Sequence, residues 1–384
     1  MKRLTPIRSA ALAAAMSLPL LAHAADLKLG FITSLSGSAS SLGIPYAKGL
    51  QAGMAFRPNV DGKKVTVVQL DDASDPTTAA RNARKLIVED NVDALIGTAG
   101  TPSGLAINGV ALEYKVPFIS ISQSKVDGPD GAWMVTVPQS APLMIDTVAA
   151  HMKQNGVKTV AYIGFSDAWG DLVYDALQAA AKKHGLTVLT NERYARTDSS
   201  VTGQVLKIVA AKPDAVLAGN SGTPGALPYL GLSARGYRGK IYGTHGIINP
   251  DFIRVGGASL ENLLAPTGPV VVADQLPASH PSRKVALDFR AVYQKTFQAV
   301  PTDAFAPYAF DAWLIFTDAA QRALAKKQPG TAEFRVALHD AVTSTKELVG
   351  TQGVYNFRRD SRFGSDERAV VMVKLEKGQW KYLP

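Results

Sequence analysis

From residue 27 onward, short strand-forming runs alternate with amphipathic stretches of helical period, and this rhythm constrains the fold more than any other feature. The runs LKLGFITS, KVTVVQLDD, VDALIG and VPFISIS are separated by helical patterns at 45–56, over TTAARNARKLIVED and at 102–114. Strands that are each followed by an amphipathic helix specify βαβ units and a parallel sheet. The rhythm restarts at residue 143, with helices at 143–155, 170–184, 201–211 and 224–235 between the strands TVAYIGFS, LTVLTNERY, AVLAGN and KIYGTHG. Two successive α/β halves of similar build imply a bilobed molecule whose strand ends face a shared cleft.

The last third reads differently. Segment 260–273 (LENLLAPTGPVVVA) looks like a strand crossing between lobes, 280–299 is a long helix, FAPYAFDAWLIFTDAAQRAL is a strongly apolar helix, and the tail from GVYNF reads as antiparallel strands. No flexible linker separates the halves, so several chain crossings are expected to form a hinge. The expected division is 25–142 plus 274–346 for the N-terminal lobe and 143–273 plus 347–384 for the C-terminal lobe.

The chain opens MKRLTPIRSAALAAAMSLPLLAHA: Lys2, Arg3 and Arg8, an Ala/Leu-rich run, then Ala22-His23-Ala24. That order is the pattern of a secretory signal peptide, so residues 1–24 are set apart from the fold. With no cysteine, no disulfide is expected, nor an anchor built on an N-terminal Cys. The expectation is an exported, unanchored, monomeric protein of the periplasm. Three of the nine excess positive charges belong to the leader and the rest are scattered, which argues against a nucleic-acid face.

Residues 92–125 are the most informative stretch for function. The strand VDALIG leads into TAGTPSG, then a helix, then VPFIS ending in ISQS. Thr101, Ser103, Ser122 and Ser124 therefore fall at the C-terminal ends of two parallel strands, where open α/β sheets hold ligands. With Thr101 at the expected N-cap and Pro102 at N1, free backbone N–H groups would point out of the sheet edge toward an anion.

Several motifs in register, LGFITSLSGSASSLG, LDDASDPTTAARNARKLI, IGTAGTPSG, VPFISIS, YIGFSDAWGD and the helix containing YAFDAW, resemble the branched-chain amino-acid type of type I periplasmic binding proteins, which feed ABC importers. The resemblance spans residues 26–384. It implies an α/β fold of two doubly wound Rossmann-like lobes on a multi-crossing hinge, a small carboxylate-bearing ligand, a permease partner in the inner membrane and no cofactor. It places the carboxylate on Thr101, Ser122 and Ser124 with Ser103 beside them, Trp169 as an aromatic lid from the second lobe, and Ser221 at a second-lobe contact that is usually aromatic. Tyr308 and Asp311 belong to a helix facing the interlobe region, with packing as their expected role.

Two departures from the family pattern stand out. Where amino-acid-binding relatives place a carboxylate for the ligand's ammonium, this chain reads YGTHG, with His245. A partly cationic imidazole discriminates against an ammonium and favours an oxygen acceptor. The expected ligand is then a hydrophobic or aromatic carboxylate, or a compound with a second carboxylate. In the alternative, His245 turns away and Asp72 or Asp167 meets an ammonium. Secondly, where relatives staple two loops with a disulfide, Ser74 and Gly100 stand here. Hydrogen bonding must then hold the loops, with Asp71, Asp72 and Asp75 mainly structural and Asp75 capping the helix before Pro76.

An enzyme is not expected. The glycine fingerprint of dinucleotide binding does not follow the first strand, Gly-x-Ser-x-Gly is absent, and no histidines pair at zinc-ligand spacing. A sensor that presents its closed form to a receptor or kinase stays open beside transport, because both need hinge closure.

Overall fold

The computed structural model describes residues 26–358 and 361–384; the leader reading of residues 1–24 lies outside the described residues. The first half runs β1 (Leu27–Thr33), α1 (Ser40–Phe56), β2 (Asn59–Val60), β3 (Lys63–Asp71), α2 (Pro76–Val88), β4 (Ala94–Gly97), α3 (Thr101–Tyr114), β5 (Phe118–Ser120) and β6 (Met134–Thr136). These strands form one sheet in the order β2-β3-β1-β4-β5-β6, parallel except for the β2–β3 pair.

The second half runs α4 (Ala141–Gln154), β7 (Thr159–Phe165), α5 (Ala168–His184), β8 (Thr187–Tyr194), α6 (Thr202–Ala211), β9 (Ala215–Gly219), α7 (Leu227–Ala234), β10 (Lys240–Tyr242), α8 (Pro250–Gly256) and β11 (Leu264–Thr267). After them come α9 (Arg283–Phe297), α10 (Phe305–Leu324), α11 (Ala332–Thr343), β12 (Leu348–Val349), β13 (Val354–Tyr355), β14 (Val371–Glu376) and β15 (Gln379–Leu383). The second sheet has the order β15-β14-β11-β10-β9-β7-β8; its parallel part ends at β11, to which β14 and β15 add antiparallel.

Burial follows sequence pattern. Every residue of β4 and β9 is buried, as for strands covered by helices on both faces, whereas β8 at a sheet edge alternates exposed and half-buried positions. In both sheets the chain reverses its direction of travel, at β1/β4 and at β7/β9, and the strand ends at those points form the ligand crevice of an open α/β sheet.

Three details differ from expectation. Helix α1 begins at Ser40 rather than 45, because tertiary burial of Ser41 and Leu42 recruits an extra turn ahead of Pro45. Strand β11 stays in the second sheet, and the crossing to the first lobe comes after it, at Gly268–Pro269. The tail 347–384, expected wholly in the C-terminal lobe, divides. Buried Asp311 of α10 accepts from the backbone N–H groups of Thr351 and Gln352 at 2.8 and 2.9 Å and from the Tyr355 hydroxyl at 2.8 Å. The Thr136 N–H donates to the Arg362 carbonyl at 2.8 Å. Only from β14 onward does the chain join the second sheet.

The crossings share one side chain. Gln139, between β6 and α4, donates through Nε2 to the carbonyls of Gln352 (3.0 Å) and Ala369 (2.7 Å) and accepts from the Tyr308 hydroxyl at 2.6 Å. Gln352 in turn donates to the Ala304 carbonyl at 2.8 Å. Tyr308 and Asp311 thus hold the hinge together and lie outside the cavity lining, where the Tyr308 ring packs edge-on behind His245, centroids 6.0 Å apart. No helix among the described residues is long and apolar enough to cross a membrane.

Candidate functional site

The two sets of C-terminal strand ends face each other across a narrow cavity enclosing about 330 Å³ of empty space, part of it open to solvent. The room left for a molecule in this closed arrangement is only about 30 Å³, far below the roughly 300–1,000 Å³ of ligand clefts, so a ligand needs the lobes to part. Two roomier surface hollows, one beside α9 and β15 and one beside α7 and β10, lie away from the facing strand ends. The lobes touch at the rim: the Thr223 N–H donates to Ser41 Oγ at 3.3 Å. Gly222, at φ +62°, lies so close to α1 that a Cβ there would stand 2.7 Å from Leu42 Cδ1 and 2.9 Å from Ser41 Oγ.

The first-lobe wall comes from α1, from the β4–α3 turn and from the loop after β5. Gly100, rather than Thr101, is the N-cap of α3; Thr101 opens the helix and Pro102 follows in its first turn. The cap moves because Gly100 holds the extended backbone a cap requires, and Thr101, the first helical residue, lines the cavity. The Oγ atoms of Ser120, Ser122 and Ser124 lie 3.3 Å from one another. Gly104 lets α3 press against them, since a Cβ there would stand 2.5 Å from the hydroxyls of Ser122 and Ser124. Thr101 and Ser122 line the cavity; Ser103 and Ser124 are buried outside its lining. Tyr46 and Phe305 add an edge-to-face pair, ring centroids 5.6 Å apart, with the Tyr46 hydroxyl donating to the Ile121 carbonyl at 2.7 Å.

The second-lobe wall takes one residue from near the end of each of four strands: Trp169 after β7, Arg196 after β8, Ser221 after β9 and His245 after β10. Trp169 is 5% exposed: Asp167 caps α5 just before it, and the indole packs edge-on against His245, centroids 5.5 Å apart at 88°. Asp167 Oδ1 accepts from the N–H groups of Trp169 and Gly170 at 3.0 and 3.2 Å. Its Oδ2 accepts from Arg196 Nε at 2.6 Å, and Arg196 Nη1 donates to Ser221 Oγ at 3.0 Å. The guanidinium lies 4.1 Å from the Phe165 ring centroid, so it is held from three sides.

Burial corrects the reading of His245 as partly cationic. Desolvation pushes its pKa down to about 4, so the imidazole is neutral at physiological pH. The two carboxylates of the alternative reading lie outside the cavity lining and are already engaged. Asp72 is buried and accepts from Ser34 Oγ (2.7 Å), Thr98 Oγ1 (2.5 Å) and the Ser74 N–H (2.9 Å), and Asp167 is engaged as described. Through Thr98, Asp72 ties together the two loops that lack a disulfide. Ser74 instead ties its loop to the β1–α1 loop, its hydroxyl donating to the Ser36 carbonyl and accepting from the Ala39 N–H at 2.7 and 3.0 Å. Asp75 caps α2 by accepting from the Thr78 N–H at 2.7 Å, as expected.

Arg196 and Tyr46 escaped the sequence reading. The signal for Arg196 was present: it stands two residues beyond β8, at the same sheet edge as the residues that were found. Tyr46 sits on α1, whose first turn was read as loop.

A sequence profile of periplasmic binding proteins matches residues 26–379. The chain belongs to the periplasmic binding protein family. That family is one of binding proteins rather than enzymes, and curated relatives of the chain carry Leu/Ile/Val-binding names. The binding protein is 25% identical over 332 residues to the Leu/Ile/Val-binding protein homolog 3 of Brucella melitensis, covering 82% of this chain and 84% of that one. It is 37% identical to an extracellular ligand-binding receptor from Rhodopseudomonas palustris HaA2, with TM-score 0.91 over 94% of this chain and 100% of the other. The fold also matches the branched-chain amino-acid transporter substrate-binding protein LivJ of Streptococcus pneumoniae, solved with isoleucine, at 18% identity and TM-score 0.79 over 94% and 99% of the two chains. The family is extracytoplasmic.

Proposed function

We propose that this binding protein captures a small hydrophobic or aromatic carboxylate lacking an ammonium group, and delivers it as a monomer from the periplasm to an ABC permease of the inner membrane by closing its two lobes. In this reading Thr101, Ser122 and the first N–H groups of α3 hold the carboxylate, and Trp169, Ser221 and His245 close over the rest. Ser103 and Ser124 act from behind by fixing the serine cluster. Hydrogen bonds to a charged group contribute roughly 1.5–3 kcal/mol each, so a few suffice to offset desolvation of one carboxylate and leave micromolar binding, about 8 kcal/mol.

The observation that supports this ligand class is the composition of the cavity wall. Its lining contains no Asp or Glu, and its one charged residue is Arg196. An α-amino acid brought into such a cleft would bury an ammonium without a counter-ion, at a cost of several kcal/mol. The second reading, a branched-chain amino acid, draws on the resemblance to the Leu/Ile/Val-binding protein homolog of Brucella melitensis.

Titration calorimetry with leucine, valine, benzoate and terephthalate decides between them. The expected result is micromolar or tighter binding of a monocarboxylate without an amino group and no measurable heat with leucine; tight leucine binding overturns the proposal. Mass spectrometry of ligand released on denaturing the purified protein checks the same point.

A further inference from the structure

The second-lobe wall has hydrogen-bonding capacity that the protein itself does not use. His245 Nδ1 and Trp169 Nε1 are buried without a partner, in residues that are 6% and 5% exposed and line the cavity. Beyond its bonds to Asp167 and Ser221, Arg196 keeps one N–H of Nη1 and both of Nη2 without a bond to any described residue. Buried polar atoms normally find partners, so these two atoms in residues lining one cavity, with the partly exposed Arg196 guanidinium beside them, mark the place of a polar group on the ligand.

Charge decides which group. Arg196 is already neutralised by Asp167 at 2.6 Å, His245 is held neutral by burial, and no charged side chain lines the first-lobe wall. A second carboxylate would share one guanidinium with Asp167, and an ammonium would meet Arg196 with no acid of its own. The group is therefore uncharged. A neutral imidazole presents either a bare nitrogen or an N–H at Nδ1, depending on tautomer, whereas Trp169 and Arg196 can only donate. A hydroxyl answers both kinds of partner in either tautomer; a carbonyl oxygen can only accept.

We infer that the ligand carries an uncharged hydroxyl at the end remote from its carboxylate, placed among His245, Trp169 and Arg196. The inference rests on the cleft being the carboxylate site proposed above, and it narrows that ligand to a hydroxy acid. Sites built around a ligand hydroxyl discriminate strongly against the analogue lacking it, because their own polar groups are then left unpaired.

The test is calorimetry of the full protein with benzoate, 3- and 4-hydroxybenzoate, phenylacetate, 4-hydroxyphenylacetate, terephthalate and leucine, repeated on His245→Phe and Trp169→Phe. At least one hydroxylated acid is expected to bind tenfold or more tightly than its unsubstituted parent, with that ratio falling toward one in both variants. A wild-type ratio near one for every pair overturns the inference and leaves the carboxylate reading standing. Terephthalate binding more tightly than every hydroxy acid does the same. If no carboxylate binds at all, the proposed function fails and the inference with it. The wild-type ratios decide the matter even if a variant does not fold.

Discussion

The two walls of the cleft solve the same problem by different means. The first-lobe wall is built of small hydroxyls and a helix N-terminus, its serine oxygens within 3.3 Å of one another. The second is built of large rings and one neutralised ion pair, and there indole and imidazole nitrogens lack partners, as Gln123 Oε1 does on the first wall. A wall whose hydroxyls bond one another keeps its shape before a ligand arrives. A wall with unpartnered groups gains most once the lobes have closed. On the function proposed above, the first lobe would capture and the second discriminate, an arrangement that fits both transport and sensing.

The comparison breaks most readily at the first wall. Thr101→Ala combined with Ser122→Ala removes two hydrogen bonds to a charged group, about 3–6 kcal/mol, and should weaken carboxylate binding more than a hundredfold while leaving the unfolding temperature within a few degrees. Calorimetry and thermal melts read the two quantities separately; an unchanged affinity refutes the capture role.

Behind that wall, Asp72→Ala leaves the donors of Ser34, Thr98 and Ser74 without their acceptor. We expect a loss of about 3 kcal/mol in stability, from donors left unpaired in a buried site. Urea unfolding checks it, and Asp72→Asn should recover part of the loss.

The second wall can be read by pH. Unfolded, His245 takes up a proton near pH 6.5; folded, burial delays uptake to about pH 4. Between those values unfolding binds a proton, so stability falls as acid is added, by up to about 3 kcal/mol. Asp311 acts in the opposite sense. Burial raises its pKa to about 6, so folding takes up a proton between that value and its ordinary 3.8, and its contribution is lost as pH rises through 6. The difference between the wild-type and His245→Phe stability curves isolates the histidine and should open from pH 6.5 downward.

Gly222→Ala gives the smallest effect, because it touches only the seam. An added Cβ would crowd Leu42 and Ser41 across the cleft, and φ is +62°. About tenfold weaker binding is expected, with solution scattering showing a shift toward the open form; an unchanged affinity shows that the lobes need not approach so closely.

Much of this was legible in the sequence, and the failures share a cause. Strand-helix alternation placed Thr101 and Ser122 at strand ends and the family resemblance pointed to Trp169, Ser221 and His245; all five line the cavity. Ser103 and Ser124 carry the same chemistry but fall behind the lining, because a strand end fixes which loop reaches the cleft and not which face of that loop is turned inward. The charge state of His245 was beyond reach, since its desolvation comes from both lobes closing together. Arg196 was missed for a simpler reason: it shares the sheet edge of the others but follows a half-exposed edge strand that drew no attention. The divided tail depends on Asp311, whose three bonds to residues 351–355 join positions forty or more apart in sequence.

Gln139 bonds two stretches of the returning tail and a helix of the first lobe at once, so no strand of the hinge is free to swing by itself. Rocking one lobe must carry every crossing with it, as a door turns on a single pin. Two labels fixed anywhere on opposite rims should then report one common angle, and replacing that glutamine would let the door sag without touching its lock.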